Sequence, residues 1–143
     1  MLRVIVFLAA SAFFSSAGAE VSTLGDVKAQ GGVRLNAQEL RNLMPEANVV
    51  SRTQGGSTRY WHNRPDGTFS AVSDGRGQTG GGTAYANAEG TWRVTDEGQL
   101  CVSIPWPRAP DNWCRYMFRL EGKYYGVGTL SNESTASEFE FRK

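Results

Sequence analysis

From residue 49 onward, apolar residues recur at every second position over short runs, which is the period of a half-buried β-strand. Trp92 and Val94 alternate with Arg93, Leu100, Val102 and Ile104 share one face, and Phe139 and Phe141 alternate with Glu138, Glu140 and Arg142. The pattern predicts strands over residues 49–53, 58–62, 68–73, 91–95, 100–104, 113–120, 123–127 and 137–142. Turn-forming residues separate them: Gly55-Gly56, Pro65-Asp66-Gly67, Asp96-Glu97-Gly98, Glu121-Gly122 and Ser131-Asn132. Short strands joined in chain order by tight turns predict a mainly β fold, a small antiparallel meander or barrel-like sheet of about 7–8 strands. An acidic-Gly-x-aromatic pattern recurs at Asp66–Phe69, Glu89–Trp92 and Glu121–Tyr124, each time setting a turn before a strand whose early aromatic can enter the core.

Alternation on 113–120 assigns Cys114, Tyr116, Phe118 and Leu120 to the core face, with Arg115 off it and Arg119 opposite. That leaves a conflict of parity. The apolar face of 100–104 points Cys101 outward, whereas Cys114 points inward on its own strand. Either a bulge near Pro105 changes the parity or one strand is buried on both faces.

One stretch has a helical period instead. Asn36 can cap a helix, with Glu39 three residues on as in a capping box, and Leu35 and Leu40 stand where a hydrophobic staple needs them. Leu40, Leu43 and Met44 make one apolar stripe, and Pro45 ends the element. This predicts one short N-terminal helix covering an end of the sheet. A partner-docking helix is the functional alternative. Residues 20–33 are polar with scattered Val21, Leu24 and Val27, and read as a leader of uncertain order.

The first residues change the setting. Arg3 precedes an apolar run over 4–14, too short to span a bilayer as a helix, and Ala17-Gly18-Ala19 fits a small-x-small cleavage rule. The expected organisation is a signal peptide over 1–19, the leader over 20–33 and a single β-rich domain over 34–143. No cysteine follows the apolar run and no second long apolar stretch exists, so no membrane anchor is expected, and the chain is placed in the periplasm or secreted. In an oxidising compartment Cys101 and Cys114, the only two cysteines, should form a disulfide. The chain-entropy account gives such a loop about 3 kcal/mol.

Composition then removes function classes. Among 143 residues, 15 are basic and 14 acidic, and removal of Arg3 leaves the two signs equal. That argues against nucleic acid as a partner, since such affinity comes from excess Lys and Arg. One histidine and two cysteines leave little for a metal site. The Gly-rich run at 75–82, GRGQTGGG, lacks the Lys-Ser or Lys-Thr of a phosphate-binding loop and reads as a hairpin tip. No G-x-S-x-G accompanies His62, and Asp66, Asp74, Asp96, Glu97 and Glu121 all fall in turns, where acids serve the backbone. No catalytic residue, cofactor or metal is therefore expected, and the protein is read as a non-enzyme.

The stretch 104–113, IPWPRAPDNW, is the most unusual. Three prolines stiffen it, Trp106 lies between two of them, and Arg108 follows. A stiff loop that presents Trp and Arg binds with little ordering cost. Trp106, Arg108 and Trp113, with Tyr60 and His62 on one strand face, are the expected binding residues, and Trp106 is expected at the surface. The competing expectation folds Trp106 back on the barrel end.

These residues together resemble a family. The helix L-x-A-x-E-L-R-x-L over 35–43, Arg59-Tyr60-Trp61, Asp66-Gly67-Thr68, Gly90-Thr91-Trp92-Arg93-Val94, Leu100-Cys101-Val102, Cys114 and Glu121-Gly122-Lys123-Tyr124-Tyr125 stand in the order of exported Gram-negative bacterial proteins. Those proteins form a domain-of-unknown-function family (nine-nine-five), and the resemblance runs over residues 34–128. It implies export and the disulfide, and brings no activity. A looser similarity is to small calycin-like secreted barrels. Two functions follow as expectations. The first is a monomeric binding or inhibitor-type module of the bacterial cell envelope, meeting a partner protein through the Trp/Arg loop. The second is a small-ligand carrier with an interior pocket lined by Tyr60, Trp92, Tyr116 and Phe118.

Overall fold

Eight antiparallel strands close into a barrel. They are β2 (Asn48–Arg52), β3 (Thr58–His62), β4 (Thr68–Ser73), β5 (Ala86–Val94), β6 (Gln99–Ile104), β7 (Asp111–Leu120), β8 (Lys123–Val127) and β9 (Ser137–Arg142). Each pairs with its neighbour in sequence, and β9 returns to pair with β2, so no edge is left open. A computed structural model describes residues 19–53, 55–74 and 86–143. The Gly-rich run at 75–82 and the apolar run ahead of the expected cleavage site lie outside the described residues. Among the described residues, no helix is long and apolar enough to cross a membrane.

Every expected strand is present, and β5 and β7 begin earlier than the pattern suggested. The helical content differs. Beside the expected α2 (Ala37–Leu43), the segment read as a leader folds into α1 (Leu24–Ala29) and a two-residue strand, β1 (Val33–Arg34). α1 has its own capping box. The Thr23 hydroxyl accepts from the Asp26 N–H at 3.3 Å, and the Asp26 carboxylate accepts from the Thr23 N–H at 2.9 Å. Backbone N–H bonds from Ser22 and Thr23, with one from the Thr23 hydroxyl, hold the Asp26 carboxyl below the usual range. Thr-x-x-Asp was legible, but with only Leu24 and Val27 behind it the apolar pattern was too short to read as a helix.

α1 explains the correction on β7. Trp113, Arg115 and Met117 point into the barrel, and Cys114, Tyr116, Phe118 and Leu120 point out, the reverse of the expected faces. Phe118 and Leu120 are nevertheless buried, because Leu24 and Val27 of α1 pack on them together with Tyr125, Val127 and Ala136. β7 is thus buried on both faces where Met117 lies on one and Phe118 on the other. Two-residue alternation cannot choose the inner face of a strand whose two faces are both covered. The cysteine conflict disappears without a bulge: Cys101 and Cys114 are register partners and both face outward. Their disulfide joins β6 to β7 with a Cα–Cα distance of 4.0 Å.

α2 forms as read. Asn36 Oδ1 accepts from the Glu39 N–H at 2.8 Å, and Glu39 Oε2 accepts from the Asn36 N–H at 2.7 Å. Leu35, Leu40 and Met44 are buried in the main core with Val49, Trp61, Phe69, Leu100 and Val102, so α2 seals one end of the barrel. Buried Asn63 ties the two together: its side-chain amide donates to the Met44 carbonyl at 3.0 Å and accepts from Trp61 Nε1 at 3.0 Å. Asn36→Ala should cost about 1 kcal/mol in urea unfolding, the usual worth of an N-cap, with Asn36→Ser close to wild type. Equal stability of all three proteins would show that the cap contributes nothing to closing this end.

Candidate functional site

The two ends of the barrel are built from different residues. At the α2 end the buried inward positions are apolar. At the other end the inward positions include Ser51, Arg59, Ser73, Asp111, Arg115 and Ser137. Ser51, Arg59 and Ser73 stand in one row across β2, β3 and β4 by strand register. The Pro-rich loop over 105–110 leaves the barrel here, between β6 and β7.

This loop overturns one expectation. Trp106 is 8% exposed and belongs to the main core. Pro105 turns the chain so that the Trp106 N–H donates to the Ile104 carbonyl at 2.9 Å, an i to i+2 bond that closes a γ-turn. The ring therefore follows Ile104 inward, and its Nε1 donates to Asp111 Oδ2 at 3.0 Å. Proline stiffness, expected to present Trp106 at the surface, instead fixes a turn from which its ring reaches Asp111 and the core. Pro105, Pro107, Arg108, Ala109 and Pro110 remain exposed.

The structure gathers some of the expected site residues and scatters others. Trp106 and Trp113 share the open end. Tyr60 and His62 do not join them, because they face outward on the barrel wall. Tyr60 stands there between its register partners Val50 and Val72. His62 lies toward the α2 end, its ring nitrogens 3.0 Å from Asn48 Oδ1 and 3.1 Å from Glu46 Oε2. The expected aromatic pocket is also corrected. Tyr60 and Tyr116 point out, Phe118 is buried outside the barrel against α1, and Trp92 alone of the four keeps the inward parity, half-buried beside the core.

Sequence reading missed Arg59 and Arg115. Arg59 forms an ion pair with Asp111, and its guanidinium carbon lies 5.4 Å from the Trp106 ring centroid. Its Nε is buried with no hydrogen-bond acceptor among the described residues. The Arg115 guanidinium carbon lies 4.4 Å from the Trp113 centroid and 5.7 Å from that of Phe139. Burial lowers the Arg115 pKa below the usual guanidinium value and the Arg59 charge lowers it further, with Asp111 opposing. Arginine remains cationic throughout. The available signal was inward parity: Arg59 alternates with Tyr60 toward the Trp61 face, and Arg115 stands between Trp113 and Met117.

Two guanidiniums thus face one carboxylate. Arg115 also borders a cleft of about 240 Å³ with Arg52, Thr53, Thr135 and Ser137, and no carboxylate is among these residues. Among the described residues, no group of three His, Cys, Asp or Glu side chains could hold a metal ion. The family model described as "Protein of unknown function (DUF995)" matches residues 10–114. No curated protein and no solved structure matches the chain.

Proposed function

We propose, from the premise that the chain belongs to the DUF995 family of proteins of unknown function, that it is an exported, non-enzymatic binding module that works through the open end of its barrel. The observation that carries this is the difference between the two ends. Apolar inward residues and α2 fill one end, whereas the other places charged and hydroxyl side chains inside the barrel beneath an exposed loop. Buried charge lowers the stability of a barrel unless something repays it. A ligand or partner that meets the guanidiniums would supply that return.

The Pro-rich loop keeps a place in this reading, with the roles within it exchanged. Trp106 anchors the loop, and the contact surface consists of Arg108 with the exposed prolines. Export draws support from the disulfide, which fits an oxidising compartment.

Photo-crosslinking in living cells tests the use of this end. A benzophenone-bearing residue at position 108 should yield a discrete adduct, whereas the same residue at position 72, exposed on the barrel wall, should not. Adducts at 72 and none at 108 would move the binding surface to the wall and end the proposal.

A further inference from the structure

We infer that the open end of the barrel holds a small oxyanion, a carboxylate or a phosphate group, with the Arg115 guanidinium as its principal contact and the Ser137 and Thr135 hydroxyls beside it. The inference rests on the open-end reading above and adds the chemistry of the ligand.

The local charge count is the first support. Arg59 has taken Asp111 into an ion pair. The Arg115 side chain makes no ion pair or hydrogen bond among the described residues, although it points into the barrel and feels the Asp111 charge. Its contacts are the faces of Trp113 and Phe139, at 4.4 Å and 5.7 Å from the guanidinium carbon. Stacking of this kind occupies the flat face of a guanidinium and leaves its edge N–H groups for an acceptor. Those edge groups form the fork that a carboxylate or phosphate meets with two parallel bonds.

The surroundings are the second support. The cleft is lined by Arg52, Thr53, Arg115, Thr135 and Ser137, whose charged members are both cationic, while the Asp111 carboxylate that also acts on Arg115 is held by Arg59. Arg52 is already paired, at 3.2 Å from Glu140 Oε1 on the outer side of β9, so Arg115 is the cation left to the cleft. At about 240 Å³ the space is smaller than the pockets that take drug-sized ligands, which points to a group of a few atoms or to the acidic end of something longer. Nearby, the buried Arg59 Nε has no acceptor among the described residues, as expected of a donor shell that is one acceptor short.

The third support is that the barrel makes room for this arginine. A Cβ on Gly126 would stand 3.1 Å from Arg115 Cδ and 2.9 Å from Phe139 Cε2. Glycine at this position lets the Arg115 stem lie against β8 and places its head over the two rings. The side chain is held before any ligand arrives, and such preorganisation lowers the cost of binding.

The test uses the full exported chain with its disulfide oxidised. Arginine side-chain N–H resonances are followed by NMR while inorganic phosphate or succinate is added against sodium chloride of equal ionic strength. Saturable movement of the Arg115 signal with one or both anions, and not with chloride, is the expected result. The preferred anion separates a phosphate from a carboxylate ligand. Arg115→Gln should weaken binding tenfold or more, while Arg93→Gln, at an exposed outer position, should leave it unchanged. The signals of the wild-type protein decide the matter even if Arg115→Gln folds poorly. No saturable shift with either anion, or equal binding by Arg115→Gln, overturns the inference. Should position 108 still crosslink in that case, the open end remains the binding surface and only the anion chemistry fails. With neither adduct nor shift, both readings fail.

Discussion

Trp106→Ala should unfold at a much lower urea concentration than wild type, with a loss of about 3–5 kcal/mol. The ring is almost wholly buried, so its removal leaves a hole in the main core that the proline-flanked backbone is poorly able to fill. The hydrogen bond to Asp111 and the stacking partner of Arg59 go with it. Asp111 would then hold Arg59 without the indole that fixes its carboxylate. Trp106→Phe separates the two contributions. It keeps most of the volume and loses the Nε1 donor, so it should cost about 1–2 kcal/mol. Such losses are large beside the roughly 5–15 kcal/mol that stabilises a typical domain. A Trp106→Ala protein as stable as wild type would return Trp106 to the surface and with it the first expectation for this loop.

Gly90→Ala is the second large effect, expected at about 3 kcal/mol, the upper part of the usual range for overpacking. A Cβ at this position would lie 2.3 Å and 2.4 Å from Phe69 Cε2 and Cζ, and 2.8 Å from the Ser103 carbonyl oxygen. Neither neighbour can retreat easily. Phe69 is fully buried and stacked on Trp61 with centroids 5.1 Å apart, and Trp61 is held in turn by Asn63. Ser103 belongs to the β5–β6 ladder as the register partner of Thr91. Gly128→Ala is the control, since nothing stands within 4 Å of a Cβ there. A second substitution that shortens the ring, Phe69→Leu, should recover part of the loss, and that coupling identifies the clash as its cause. Additive effects of the two substitutions would place the cost of Gly90→Ala in the backbone instead. This clash also gives a physical reason for the first residue of the Gly90-Thr91-Trp92 motif.

The candidate site was legible in part. Trp106, Arg108 and Trp113 were singled out from an unusual run of prolines and aromatics, and they do stand at one end of the barrel. Tyr60 and His62 were grouped with them because they share a strand face, but that face is the outer wall. Arg59 and Arg115 were passed over because a charged residue on an alternating strand is ordinarily on the solvent side. Here the barrel accepts them because Asp111 neutralises one and aromatic faces carry the other.

The strands, their turns, the capped helix α2 and the pairing of Cys101 with Cys114 follow from local pattern. Each depends on residues a few positions apart, or on there being only two cysteines to pair. The inner face of β7, the packing of α1 and the burial of Trp106 depend on what lies across space. Alternation states that two faces differ, but not which is inside when a helix also covers the outer one. Proline fixes the backbone at Trp106 without setting the direction of its ring. That direction was set by Asp111 on the next strand and by the closed barrel, which leaves an indole at Trp106 room inside.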